Sequence, residues 1–148
     1  MPSQEPAIVE LPELHLIGLS VTSVHSRHDP DRVAAMKREF FERRGEIPNP
    51  LHPDRYISPH FSTSVLFTYL ICMEVSELSA IPEGMLGFTV PARRYVGTKS
   101  PTDPYLVIHN YLRANGLQAD PKSLALEVYS FANPEWPAET DVYVPLLG

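Results

Sequence analysis

A glutamate set among tyrosine and phenylalanine is the feature of this chain most suited to chemistry. In Leu124–Phe131, LALEVYSF, alternation along an extended strand puts Glu127, Tyr129 and Phe131 on one face and Leu126 and Val128 on the other. A carboxylate in apolar surroundings is pushed toward its neutral form, and an incoming cation or hydrogen-bond donor restores the charge. Aromatic rings beside it add cation–π attraction. The same residues suit a half-exposed strand whose Glu127 meets solvent while the rings form core, and periodicity leaves both readings open. Met73-Glu74-Val75-Ser76 echoes Leu126-Glu127-Val128-Tyr129, which makes Glu74 the expected counterpart of Glu127 in an earlier strand. Near the C-terminus Asp141, Tyr143 and Pro145 share one face, opposite Val142, Val144 and Leu146, so Tyr143 is a second candidate for a cleft wall.

Other chemistries find less support. The histidines include His25-x-x-His28-Asp29 and the pair His52 and His60, but no helical pair at four-residue spacing and no second cysteine backs a zinc site, so no metal is expected. Cys72 is the single cysteine; it lies in an apolar strand-like run, reads as a small core residue, and excludes an intramolecular disulfide. There is no G-x-S-x-G turn to carry a serine nucleophile, and no G-x-G-x-x-G or Walker pattern, so no cofactor is expected. Arg93, Arg94 and Lys99 form a small basic cluster that reads as a solvated strand entry.

The elements that must position these residues follow a repeated syntax. Leu14–Val24, LHLIGLSVTSV, is apolar and β-branched and reads as a strand. Asp29 then caps a helix whose first position is Pro30, with Val33, Met36, Phe40 and Phe41 on one face and Gly45 as its stop. The second half repeats this with Asp103 and Pro104 opening a helix over Tyr105, Ile108, Tyr111 and Leu112, closed by Gly116. Strand-like runs at Val65–Val75, Met85–Val90, Arg94–Lys99, Leu124–Phe131 and Asp141–Leu146 complete a pattern of βαββ written twice. Between Gly45 and Ser64 stands an insertion with Pro48, Pro50, Pro53 and Pro59, expected to be a binding loop or cover and not a strand or helix.

The 148 residues can bury about two-thirds of their unfolded surface, enough for one core, so a single α+β domain is expected over 13–148, with a tail at 1–12 and half-repeats at 13–90 and 91–148. The net charge of −6 gives no basic face for phosphate backbones, and direct nucleic acid binding is not expected. No signal peptide and no membrane-length apolar run is legible, so a cytoplasmic location and no membrane contact are expected.

The run YLICMEVSELSAIPEGMLGFTVPARRYVGTKSP, Tyr69 to Pro101, resembles the central segment of GyrI-like, or effector-binding, domains. The run LALEVYSFANPEWPAETDVYVPLLG, Leu124 to Gly148, is similar to the family's closing signature of a strand with a central Glu, a Pro-containing loop and Asp-x-Tyr-x-Pro. The resemblance implies a duplicated βαββ fold with pseudo-twofold symmetry, a curved antiparallel sheet, two main helices and a central cleft for amphipathic, often cationic molecules. It places the family's pocket glutamate on Glu127 and its C-terminal pocket tyrosine on Tyr143; Phe67, Tyr69, Tyr95 and Trp136 are further candidate walls, although Tyr69 equally fits a core position and Trp136 a packing residue at a hinge. With about a dozen residues before the first strand, a stand-alone member is expected, without the helix-turn-helix segment of the family's regulators. The resemblance leaves three roles: a sensor or sequestering protein for a small-molecule ligand, a hydrolase opening cyclopropane rings, or a module binding a protein partner such as gyrase or a transcription regulator. In the hydrolase, Glu127 would be the base, and a tyrosine such as Tyr143, or Trp136, its partner.

Overall fold

The computed structural model describes residues 4–24, 30–62 and 66–147. Its strands are β1 (Gln4–Leu11), β2 (Leu14–Val24), β3 (Arg55–Ser62), β4 (Leu66–Val75), β5 (Leu86–Val90), β6 (Arg93–Lys99), β7 (Ala125–Ser130) and β8 (Asp141–Pro145). The helices are α1 (Pro30–Arg43) and α2 (Pro104–Ala114). All strands join one antiparallel sheet in the order β1-β6-β8-β7-β3-β4-β2-β5. Exchanging β1 with β5, β2 with β6, β3 with β7 and β4 with β8 reverses that order, so the sheet has a pseudo-twofold between β7 and β3. The two βαββ units are β2-α1-β3-β4 and β6-α2-β7-β8, each preceded by an outer strand, β1 or β5.

The chain joins β1 to β2 through two residues, Pro12 and Glu13, although these strands stand six places apart in the sheet. A flat sheet would separate them by about 29 Å, while three Cα steps reach at most about 11 Å. The sheet must therefore curl. Leu16, Ile57, Leu70, Cys72, Tyr95 and Leu126 fill the inside of the curl. Both helices lie outside it. Met36 and Phe40 of α1 pack on Ile17, Ile71, Met73 and Tyr129, and Ile108 and Leu112 of α2 pack on Val96, Val142 and Val144.

Local signals explain the helices. The Asp103 carboxylate accepts the backbone N–H of Tyr105 at 3.0 Å, Pro104 takes the first helical position, and Gly116 ends α2 at φ 65° with the Leu117 N–H donating to Leu112 O. Asp103→Ala should cost about 1 kcal/mol of stability, read as a lower denaturation midpoint with an unchanged slope. Asp29, the expected cap of α1, lies outside the described residues, as do His25 and His28. Gly45 is not a left-handed stop. α1 runs into a 3-10 turn, Arg44–Glu46, and the Arg43 guanidinium ties Glu39 and Glu46 to the carbonyl of Glu83.

Three expectations need correction. Residues 4–11, read as part of a tail, form β1, because pairing with β6 satisfies their backbone and lets Val9 and Leu11 reach the inner core. The proline-rich insertion contains β3, which lies at the middle of the sheet. Its Pro59 is tolerated because the β3–β4 ladder opens between Ile57 and His60, where the missing N–H is not required. Finally, Glu74 is not the counterpart of Glu127. It stands on β4, whose equivalent is β8, and β7 corresponds to β3.

Candidate functional site

Pairing register decides which side chains meet. Ser58 is opposite Glu127 and Tyr56 opposite Tyr129 across β3–β7, while His60 is opposite Tyr69 and Ser62 opposite Phe67 across β3–β4. Paired residues share a face, so Glu127, Tyr129, Tyr56, Ser58, His60, Tyr69 and Phe67 form one patch over three neighbouring strands. This is the outer face, between the two helices. From α1, Pro30, Val33, Ala34 and Lys37 line a cavity of about 410 Å3 whose other sides are Phe67, Tyr69, Glu127, Tyr129 and Trp136. Their spacing of three, four and seven residues puts these α1 positions on one stripe.

Glu127 is 8% exposed and heavily hydrogen-bonded. The Tyr129 hydroxyl donates to Oε1 at 2.6 Å and the Tyr105 hydroxyl of α2 donates to Oε2 at 2.5 Å. His60 Nε2 lies 3.2 Å from Oε2 and 2.5 Å from the Tyr105 oxygen. Because the Tyr105 proton is directed at the carboxylate, Nε2 must carry a hydrogen, or lone pairs would face each other. Tyr69 donates to Ser58 Oγ at 3.1 Å, Tyr56 stacks on Tyr129 at 5.1 Å, and Trp136, 45% exposed, lies 6.0 Å from Tyr105.

Burial is the largest single influence on Glu127 and acts to raise its pKa, but the donors His60, Tyr105 and Tyr129 together outweigh it and hold the carboxyl below its ordinary range. The charge on Glu127 in turn adds to burial in pushing the Tyr105 and Tyr129 hydroxyls far up, so both stay protonated donors. Tyr56 is pushed up to about 12, first by burial. A carboxylate with a depressed folded-state pKa stabilises the fold above its unfolded value, and that contribution is lost as pH falls through the folded one. The denaturation midpoint should therefore fall on acidification below about pH 4, and Glu127→Gln should flatten that part of the profile.

Of the residues expected from the sequence, Glu127, Phe67, Tyr69 and Trp136 come together here. Tyr143 and Tyr95 do not. Tyr143 is opposite Leu126 and Gly97, so it points inside the curl, where its ring covers the space a Cβ on Gly97 would fill, 6.3 Å from the ring of Tyr95. Tyr95 is 1% exposed in the same inner core. Tyr143 lines a separate cavity of about 80 Å3 with Glu74 and Arg55, on the opposite side of the sheet from Glu127. Cys72 is buried in the inner core, and that burial pushes its thiol up.

Tyr129, Tyr105, His60 and the α1 stripe are the site residues that sequence reasoning did not single out. Tyr129 was legible as the neighbour of Glu127 on an alternating strand. His60 was hidden in the insertion, where the alternation of Tyr56, Ser58 and His60 is the one available signal. Nothing local to Tyr105 indicates that the first turn of α2 faces Glu127.

A family model described as integron-associated effector binding protein matches residues 7–146. Among solved structures, the chain is similar to SAV2435 bound to tetraphenylphosphonium, at 13% identity over 98% of this chain and 95% of that one, with a TM-score of 0.71. It is similar to the C-terminal domain of EcmrR at 17% identity over 99% of each chain, with a TM-score of 0.70. An integron cassette protein from the mobile metagenome of Vibrio cholerae shares 13% identity over 98% of this chain and 97% of that one, with a TM-score of 0.60. No curated protein matches the sequence. At these identities the structural likeness is one of fold: an open, curved antiparallel sheet carrying two helices.

Proposed function

The chain belongs to the family of integron-associated effector binding proteins, with a GyrI-like fold, and from that premise we propose that it binds a small amphipathic aromatic molecule bearing a cationic group, as a sensor or sequestering protein. The observation that carries this reading is an ionised, 8% exposed carboxylate at the floor of an aromatic cavity of about 410 Å3. That volume suits a drug-sized ligand. Tyr69, Tyr129, Phe67 and Trp136 supply ring faces, while Glu127 supplies the counter-charge. The solved structure of SAV2435 with a lipophilic phosphonium shows a related fold accommodating such a molecule.

The contiguous contacts of His60, Tyr105 and Glu127 favour a second reading, in which Glu127 takes a proton from water as the water oxygen bonds to a carbon of a strained ring. The electron pair of the broken ring bond takes up a proton in return, so that one water is added in all. Binding ranks first because a carboxylate held below its ordinary pKa is a weak base.

Titration with tetraphenylphosphonium and with 4-(aminomethyl)biphenyl, followed by Trp136 fluorescence and by mass spectrometry of the recovered compounds, separates the readings. Saturable binding of unchanged compound, weakened in Glu127→Gln, supports the proposal. For hydrolysis, a cyclopropane-bearing alkylator would be recovered with one added water from wild type and not from Glu127→Gln. No saturable binding of either cation would overturn the first reading.

A further inference from the structure

Lys37 gives the cavity a second charge, opposite in sign to the first. Its ammonium nitrogen lies 5.7 Å from the centroid of the Tyr69 ring, and Lys37 and Tyr69 line the same cavity as Glu127. Among the described residues it forms no ion pair, and the ring is its partner. Tyr69 is held in place by its hydroxyl on Ser58 and by stacking on Phe67 at 6.3 Å, so this cation–π position is built by fixed groups. A ligand that brings only a cation must share the aromatic wall with a like charge.

Glu127, for its part, has little capacity left. Oε2 already faces Tyr105 and His60, and Oε1 accepts from Tyr129. Each carboxylate oxygen accepts about two hydrogen bonds, which leaves an open position on Oε1. An N–H donor can use that position, whereas a quaternary cation without a proton gains Coulomb attraction alone.

We propose that the ligand is amphoteric: an aromatic molecule whose ammonium N–H reaches Glu127 and whose carboxylate, or other anionic acceptor, meets Lys37. Lys37 is then a specificity-determining residue that selects zwitterions over simple lipophilic cations. The inference rests on the reading of this cavity as the ligand site.

A matched pair tests it: 4′-(aminomethyl)biphenyl-4-carboxylate and its methyl ester, which differ in the charge at the far end. Wild type should bind the zwitterion roughly tenfold more tightly than the ester, as about 1.4 kcal/mol from one charge-assisted contact would give. Lys37→Met, which keeps the length of the side chain, should abolish that preference and raise the affinity for tetraphenylphosphonium, while Lys37→Arg should retain the preference. Equal or tighter binding of the ester by wild type, or a preference unchanged in Lys37→Met, overturns the role of Lys37. If in that case both compounds still weaken in Glu127→Gln, the cavity reading stands. If neither compound binds wild type, the inference falls, and the cavity reading falls with it when tetraphenylphosphonium and 4-(aminomethyl)biphenyl also fail to bind.

Discussion

Glu127→Gln should weaken binding of an aromatic ammonium such as 4-(aminomethyl)biphenyl by roughly 30- to 1,000-fold, the equivalent of about 2–4 kcal/mol lost when one partner of a buried charge pair is neutralised. Two effects act together. The counter-charge disappears, and the carboxamide NH2 replaces an acceptor oxygen that now receives a tyrosine proton. Either Tyr129, or Tyr105 with His60, would then face a donor, which adds a stability loss of about 1–3 kcal/mol for an unsatisfied buried group. Calorimetric titration measures the first effect and denaturant unfolding the second. Residual affinity should persist, because the rings of Tyr69, Tyr129 and Phe67 remain. An unchanged dissociation constant in a folded variant would mean that Glu127 is a structural acceptor and that the cation site is elsewhere.

Gly18→Ala should destabilise the protein by more than about 3 kcal/mol, toward the upper end of what overpacking a strand does. Gly18 pairs with Cys72 on one side and Leu86 on the other, in the strand that continues from the tight β1–β2 connection. A Cβ there would overlap the Ile71 carbonyl oxygen and stand 2.7 Å from the Cys72 Cα. These are backbone atoms and cannot rotate away, so the β2–β4 ladder would have to part at that point. Gly87→Ala is the contrasting case. Its Cβ would meet the flexible ends of Ile81 and Leu78, so the cost should stay under about 1.5 kcal/mol. Equal unfolding midpoints for the two variants would contradict the argument that backbone atoms leave no room for a Cβ at Gly18.

What could be read along the chain was what local interactions encode. The second Asp-Pro helix start, the β-branched run of β2 and the alternation of β7 each follow from caps, dihedral preferences or a period of two. So does the placement of Glu127 and Tyr129 on one face. β3 escaped because Pro59, with Pro48, Pro50 and Pro53 just before it, speaks locally against a strand, and its place is secured by pairing with β4 and with β7, which lies far away in sequence. Tyr143 shows the same limit. Alternation correctly set Tyr143 against Val142, but which of them shares a face with Glu127 depends on cross-strand register, and that register pairs Glu127 with Val142. The approach of Tyr105 from α2 and Lys37 from α1 depends on both helices covering the outer face of a curled sheet. Periodicity reports the two faces of a strand. Which face becomes the inside, and which neighbours it meets, is decided by long-range pairing and burial, for which a single segment carries no local signature.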